Sequence, residues 1–278
     1  MSTPALSVVI PNYNYGRFLR KCFAGLLTQT FTDFEVVITD DGSTDGSQEI
    51  LREYAARDRR FRPNFFPENR GAEAAFLDVS GRATGRYIYC NSSDDFIINR
   101  DFFQRAVSKL ESDPRPAGFY GICGIYVSEK EALSGGMGTA EVEGYNTPLQ
   151  CCQGFLRCRS VVSGLSSLWR REPFMRLAGD LPTLLRELGP QMDFFLFHAL
   201  AFNYGMYYEK TPFACQRVYE AKTNYSANNH LWETARRYAS TEQRLRPHCP
   251  PYPDIEKDWF RWRAYWMMDT IRKSGVTL

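Results

Sequence analysis

Three short stretches carry the residues most able to do chemistry. They are Pro11-Asn12-Tyr13, Asp40-Asp41 and Asp94-Asp95. Each follows an apolar run. The two acid pairs are the more informative, because adjacent carboxylates repel and each needs a partner. At Asp94-Asp95 a divalent cation answers that need. Mg²⁺ or Mn²⁺ is commonly held by one or two carboxylates, with the remaining positions taken by water and phosphate oxygens. At Asp40-Asp41 one acid can cap the following helix. The other can accept from a base N–H or a ribose hydroxyl, since an ionised carboxylate only accepts. The plainer reading of both pairs is a turn or a cap, where Asp is common.

The runs in front of these residues read as strands. "LSVVI" (Leu6–Ile10) is apolar without alternation, as in a strand buried on both faces. The turn "PNYNYG" follows, then Phe18, Leu19, Cys22, Phe23, Leu26 and Leu27 at helical spacing. "FEVVITD" is a second buried strand. Ser43 to Asp45 then caps a helix carrying Ile50, Leu51 and Tyr54 on one face. "FRPNFF" reads as a third strand, Asn69 to Ala83 as a helix, and "RYIYCN" (Arg86–Asn91) as a fourth strand. Strand and helix thus alternate through the first third of the chain, which implies an α/β fold whose sheet is mostly parallel with helices on both faces. Ligands of such sheets bind at the carboxyl ends of the strands, near a switch in strand order. All three chemistry-bearing stretches lie at such ends.

The remainder is less regular. Phe102, Phe103, Val107 and Leu110 predict a helix, and "GFYGICGIYVSE" a strand. "SGGMGTAEVEGYN" (Ser134–Asn146) reads as a mobile Gly-rich loop. Asp193 to Phe202 predicts a helix, and "GMYYEKTPFACQRV" a strand and turn. In the tail, "DWFRWRAYWMMDTIRK", Trp259, Trp262, Trp266 and Met267 recur on one helical face. Packing onto the domain is the first reading of that face. A homodimer contact and a peripheral membrane contact are the others, the last because Arg261, Arg263, Arg272 and Lys273 are interleaved. The expected organisation is a catalytic domain over residues 1–225 and a C-terminal helical extension over 226–278.

Composition narrows the class. The chain has 278 residues, 44% of them hydrophobic, and a formal net charge of +2. That gives ample core and no strong footprint for nucleic acid. The sequence contains no apolar run of the roughly 18 residues that a membrane helix needs. Nor does "MSTPALSVVIPNYN" resemble a secretory leader, so a cytoplasmic location is expected. Eight cysteines are scattered without a CxxC pair, and there are three histidines. Buried free thiols are therefore expected, rather than a structural zinc site. His198 and His230 read as structural or surface residues.

With these residues in view, "SVVIPNYNYGRFLRKCFAGLLTQTFTDFEVVITDDGSTDGS" resembles the opening of the family-2 inverting glycosyltransferases. These are GT-A enzymes that take a sugar from a nucleotide-diphosphate donor. The resemblance continues through "ENRGAEAAF", "ATGRYI", "SSDDFI", "SGLSSLWRREPF" and "MDFFLFHALAFNYGMYYEKTPFACQRV". It covers roughly residues 5–220, and its N-terminal motif is long and specific. It implies that Pro11, Asn12 and Tyr13 line the nucleoside pocket, with Asp41 on the base and Asp40 beside it. It also implies that Asp94 and Asp95 stand at the metal and nucleotide site with Mn²⁺ or Mg²⁺, and that Asp193 is the general base. Gly164, Leu165 and Ser166 would border the acceptor and sugar site. A UDP-sugar is the family's commonest donor. The acceptors are saccharides or lipid-linked glycans, as in polysaccharide biosynthesis.

The sequence departs from the family pattern at four places. Ser92 stands where the first acid of D-x-D-D is usual. Ala75-Phe76-Leu77-Asp78-Val79 replaces A-R-N-x-G, which leaves Arg70 and Arg82 as candidates to supply the lost charge. Met192, with Gln191 before it, precedes Asp193 in place of Glu, and Tyr219 replaces the histidine of R-x-H. A nucleotide-sugar-binding homologue without turnover is therefore the competing reading. A nucleotidyltransferase or a dinucleotide-dependent dehydrogenase fits less well, since no Gly-rich phosphate loop follows the first strand.

Overall fold

In the computed structural model, Leu6, Val8, Val9 and Ile10 of strand β1 (Leu6–Asn12) are fully buried, as a run without alternation requires of a strand covered on both faces. The structure describes residues 3–127, 132–140, 142–179, 181–188, 192–218 and 239–273. Gln191, Tyr219, His230 and the expected boundary between residues 225 and 226 lie outside the described residues. So do the side chains of Met267, Arg272 and Lys273.

Strands β2 (Phe34–Asp40), β3 (Phe61–Phe65) and β4 (Tyr87–Cys90) alternate with helices α1 (Gly16–Leu27), α2 (Ser47–Arg57) and α3 (Ala72–Arg82). β2 and β4 flank β1 and run parallel to it, and β3 lies outside β2 in parallel. The later elements are β5 (Phe96–Ile97), α4 (Phe102–Ser112), β6 (Gly118–Val127), β7 (Ala132–Met137), β8 (Gly144–Asn146), α5 (Pro148–Leu156), β9 (Ser167–Arg170), α6 (Arg171–Ala178), α7 (Leu181–Leu188), α8 (Met192–Tyr204) and β10 (Met206–Val218). Residues 239–245 are helical (α9), and α10 spans Ile255–Lys273. The sheet runs β3-β2-β1-β4-β9-β6-β10-β5, with β7 on β6 and β8 on β10. β1 is followed by β2 on one side and by β4 on the other, so the switch in strand order falls where Asn12, Asp40 and Asn91 emerge.

Side chains alternate across the strands. Val8 and Ile10 join α1 and α4 in one core, while Val9 and Ile88 join α5, α8 and α10 in the other. The tryptophan face of α10 is part of that second core. Trp259 and Trp262 are fully buried, and Trp262 packs on Phe155 of α5 with ring centroids 5.6 Å apart. Trp259 and Trp262 of this face are thus built into the protein's own core. No described helix is long and apolar enough to cross a membrane.

Three expectations change. Helix α2 begins at Ser47 rather than at Ser43–Asp45, because Gly46 stands in front of it at φ 87°. Asp45 instead accepts from the Gly16 N–H at 2.8 Å and the Ser47 N–H at 3.1 Å, tying the starts of α1 and α2 together. Helix α3 starts at Ala72, not at Asn69. The segment Ser134–Asn146 is not a plain loop, since β7 and β8 pair antiparallel with β6 and β10. Its glycines serve the strand path: Gly135, Gly138 and Gly144 all take positive φ.

Candidate active site

The Asp40-Asp41 pair is resolved by geometry. Asp40 is fully buried and accepts from Asn12 Nδ2 at 2.8 Å, the Ser43 N–H at 2.9 Å and Gln48 Nε2 at 3.1 Å. Asp41 is also buried, and its two oxygens accept the N–H groups of Arg70 at 2.6 Å and Gly71 at 2.8 Å. Neither carboxylate caps α2. One joins β1 to the turn after β2; the other pins the loop after β3 over that turn. Gly42, directly after Asp41, has φ 70°, and a Cβ there would lie 2.5 Å from the Glu68 carbonyl carbon. Backbone thus fills the space where any other residue would project. Tyr13, 42% exposed, stands open beyond the end of β1, and Pro11 is half-buried.

Asp94 and Asp95 differ sharply. The turn that carries them is tied to β1 by the Ser93 hydroxyl, which donates to the Pro11 carbonyl at 2.7 Å. Asp95 points inward, 4% exposed, and accepts the Arg217 N–H at 2.7 Å and a bond from the Ser92 side chain. Burial, and then the charge of Asp94, push its carboxyl well above the usual range against those bonds. Asp94 is half-buried, and its charge reaches the Tyr15 phenol, which burial and then Asp94 push up. The pair expected to share a metal therefore divides: Asp94 lies nearer the surface, and Asp95 holds the turn from inside. Among the described residues no three His, Cys, Asp or Glu side chains gather as a metal cage. A cation held partly by diphosphate oxygens and water needs only one or two carboxylates. The hard oxygen of Asp94 fits that role, and the exposed Ser92 stands beside it.

Asp193 opens α8. It is exposed at the helix start, with enough protein packed around its carboxyl to desolvate it in part. That desolvation pushes its carboxyl up to about 6, although the carboxylate accepts the Phe194 N–H at 2.6 Å. Its charge is felt by Cys90 at the end of β4, whose thiol is pushed up to about 12 by burial and then by Asp193. The helix therefore delivers a carboxylate of raised pKa to the carboxyl end of the strand that leads into Asp94. One turn further on, His198 is buried and neutral, its pKa lowered to about 4 by burial. Its Nδ1 meets the Phe194 carbonyl at 2.7 Å and its Nε2 accepts the Val162 N–H at 3.4 Å, the structural role expected of it.

Gly164, Leu165 and Ser166 form a 3₁₀ turn against α8. A Cβ on Gly164 would lie 2.2 Å from Phe197 Cε2, so only glycine lets this turn approach the helix that carries Asp193. The Leu165 carbonyl accepts from the Tyr89 hydroxyl at 2.8 Å. Ser166 does not border the crevice through its side chain, because it is fully buried and donates to the Gly121 carbonyl at 2.7 Å. Gly164→Ala should destabilise the fold by about 1–3 kcal/mol through overpacking. The change in urea midpoint would check this, and an unchanged midpoint would show that the turn can move away.

The sequence profile described as glycosyl transferase family 2 matches residues 7–163, more than half of the chain. The chain belongs to glycosyl transferase family 2. Among curated relatives it is 35% identical over 105 residues to the glycosyltransferase GlyA of Streptococcus pneumoniae, covering 38% of this chain and 15% of GlyA. It is 35% identical over 120 residues to the uncharacterized glycosyltransferase EpsJ of Bacillus subtilis, covering 42% of this chain and 34% of EpsJ. The chain thus spans well under half the length of either relative. Among solved structures, S. aureus TarS 1–349 in complex with UDP-GlcNAc superposes with a TM-score of 0.68 at 14% identity, over 98% of this chain and 75% of that one. The mannosyltransferase PcManGT of Pyrobaculum calidifontis, in complex with GDP-Man and Mn²⁺, gives 0.56 at 19% identity over 100% and 77%. At these identities the structures establish a shared GT-A fold.

The family match ends before Asp193 and Arg217, so those two are placed by this chain's own geometry. Arg82 does not replace the family's missing basic residue. Its guanidinium is bound to Asp78 at 2.8 Å and to the Ile38 carbonyl at 2.6 Å, beneath β2. Arg70 is exposed, lies over the Phe66 ring at 4.6 Å and carries one of the N–H groups on Asp41. Arg217 is the arginine of the R-x-H pattern in which Tyr219 replaces the histidine, but sequence alone assigns it no site role, because its contacts with Asp94 and Asp95 come from the far end of the sheet. A separate pocket of about 550 Å³, lined by Glu187, Phe195, Arg244 and His248 among others, contains none of the residues above.

Proposed function

We propose that this chain is an inverting glycosyltransferase that moves a sugar from a nucleotide-diphosphate donor, foremost a UDP-sugar, to a hydroxyl of a saccharide or lipid-linked acceptor. The observation that carries the reading is Asp193. A solvent-accessible carboxylate with its pKa raised to about 6 stands by the end of β4, the strand that leads into Asp94. Poised near neutrality, it is suited to take a proton from an acceptor hydroxyl. The acceptor oxygen then attacks the anomeric carbon from the face opposite the diphosphate. The C–O bond to the diphosphate breaks, and a single displacement inverts the centre. Asp94 would hold Mn²⁺ or Mg²⁺ on the leaving diphosphate, where a bound cation supplies Lewis-acid stabilisation. Tyr13 and Pro11 border the nucleoside, while buried Asn12, Asp40 and Asp41 shape the pocket from behind. The donors named in the TarS and PcManGT complexes, UDP-GlcNAc and GDP-Man with Mn²⁺, support a nucleotide-sugar donor. Work at the cytoplasmic side of a membrane suits a lipid-linked acceptor.

Thermal shift with UDP, dTDP, GDP and CDP, each with and without Mn²⁺ or Mg²⁺, tests this. One nucleotide should raise the melting temperature, and more so with metal. Ligand at one hundred times its dissociation constant adds about 2.7 kcal/mol. No shift with any nucleotide would refute the proposal. Binding without sugar transfer would favour the non-catalytic reading that Ser92 and the altered A-R-N-x-G segment suggest.

A further inference from the structure

β10 ends beside the turn that carries Asp94. β5 pairs antiparallel with it, Cys215 opposite Phe96, so Arg217 lies alongside Asp94-Asp95 despite 122 residues of separation. Two bonds join them. The Arg217 N–H donates to Asp95 Oδ1 at 2.7 Å, and its Nε donates to the Asp94 carbonyl at 2.9 Å. The side chain is itself fixed. Arg217 is 5% exposed, and its guanidinium lies over three rings: Phe18 at 4.7 Å, Tyr126 at 5.1 Å and Phe96 at 5.4 Å. These rings come from α1, β6 and β5. A planar cation stacked among aromatic faces keeps its Nε–H in one direction, which the flexible ammonium of lysine does not.

We propose that Arg217 is a positioning residue for the cation–diphosphate site. Its side chain fixes the Asp94 main chain, and so fixes the direction in which the Asp94 carboxylate meets the cation. The inference rests on the reading of the crevice given above. It explains how the half-buried carboxylate of Asp94, without an acid at Ser92, presents a defined ligand: the turn behind it is clamped from the far end of the sheet. Ligands of this kind depend on the groups that orient them, and loss of such a group typically weakens metal binding about 10–100-fold.

The test is Mn²⁺ binding, read from the free-ion electron paramagnetic resonance signal, in the presence of UDP and in a parallel series with GDP. Arg217→Lys and Arg217→Met should each weaken Mn²⁺ binding about tenfold or more, while nucleotide binding without metal stays within about twofold. Phe18→Leu removes one ring of the cage but neither hydrogen bond, and should weaken Mn²⁺ binding by a smaller factor; it decides the matter if both Arg217 variants fail to fold. Equal Mn²⁺ affinity in the wild type and the folded variants overturns the inference and leaves the proposed function standing. If the wild type takes up Mn²⁺ with neither nucleotide, the metal-assisted reading falls and the inference with it.

Discussion

Asp193→Asn should nearly abolish sugar transfer and leave nucleotide binding intact. The loss expected from removing a general base is about 10²–10⁴-fold in kcat. Asn keeps the shape and can still accept the Phe194 N–H, so the helix start survives. The wild-type pH profile carries the same signature. Asp193 must be ionised to accept a proton, so kcat/KM should fall as pH drops through about 6. Stability runs the other way. The folded chain holds this proton up to about 6, whereas the ordinary carboxyl value is 3.8, so between these values the native state binds more protons than the unfolded state. Native stability therefore decreases as pH rises through that window, and the penalty is complete above it. Asp193→Asn removes the penalty. The variant should melt above wild type at pH 7.5 and level with it at pH 3.5. A variant that transfers sugar at the wild-type rate would remove Asp193 from the mechanism. One that is inactive but melts lower at pH 7.5 would show that the raised pKa is misassigned.

The contrast between Asp193 and Asp95 shows where sequence reasoning reaches its limit. Strands β1, β2 and β4 announce themselves because burial on both faces demands apolar side chains with little interruption, as in Leu6–Ile10. Asp193 is visible as an acid opening a helical pattern, and a helix start at a crevice can present it. What the sequence does not show is who donates to a carboxylate. Asp41 takes its N–H groups from Arg70 and Gly71, and Asp95 takes one from Arg217. Such bonds need the chain to return from 29 and 122 residues away, and backbone donors leave no trace in residue type. Strand β5 is equally hidden, since two residues carry no periodicity. In β7 the misleading signal was glycine itself. Gly138, just past the end of β7, turns with φ 105° where a Cβ would meet the Gly121 carbonyl oxygen at 2.5 Å, so the glycine that suggests a loop lets the chain leaving β7 pass close to β6.

Trp262→Ala should lower stability by about 3–5 kcal/mol, the range for deleting a large buried aromatic side chain. Trp262 is 1% exposed and is held between Phe155 and Trp259, whose ring lies 5.3 Å away. Its neighbour on the helix, Asp258, is equally buried and accepts from Arg157 Nε at 2.9 Å and the Tyr252 hydroxyl at 3.0 Å, so α10 is also pinned by charge. Phe260 provides the control. It is 68% exposed on the same helix, and Phe260→Ala should change stability by no more than about 0.5 kcal/mol. Urea denaturation of the two variants separates a docked helix from an appended one. A loss below about 1 kcal/mol for Trp262→Ala would mean that α10 packs weakly and that its tryptophans await another surface. The docked reading carries a functional consequence, because α10 backs the helix that bears Asp193, the proposed base: Trp266 meets Phe194, next to Asp193, at 6.1 Å. Loosening α10 should therefore lower kcat more than it weakens nucleotide affinity, since β1 and β2, which carry the proposed nucleotide residues, pack Leu6, Val8, Ile10, Val36 and Ile38 into the other core.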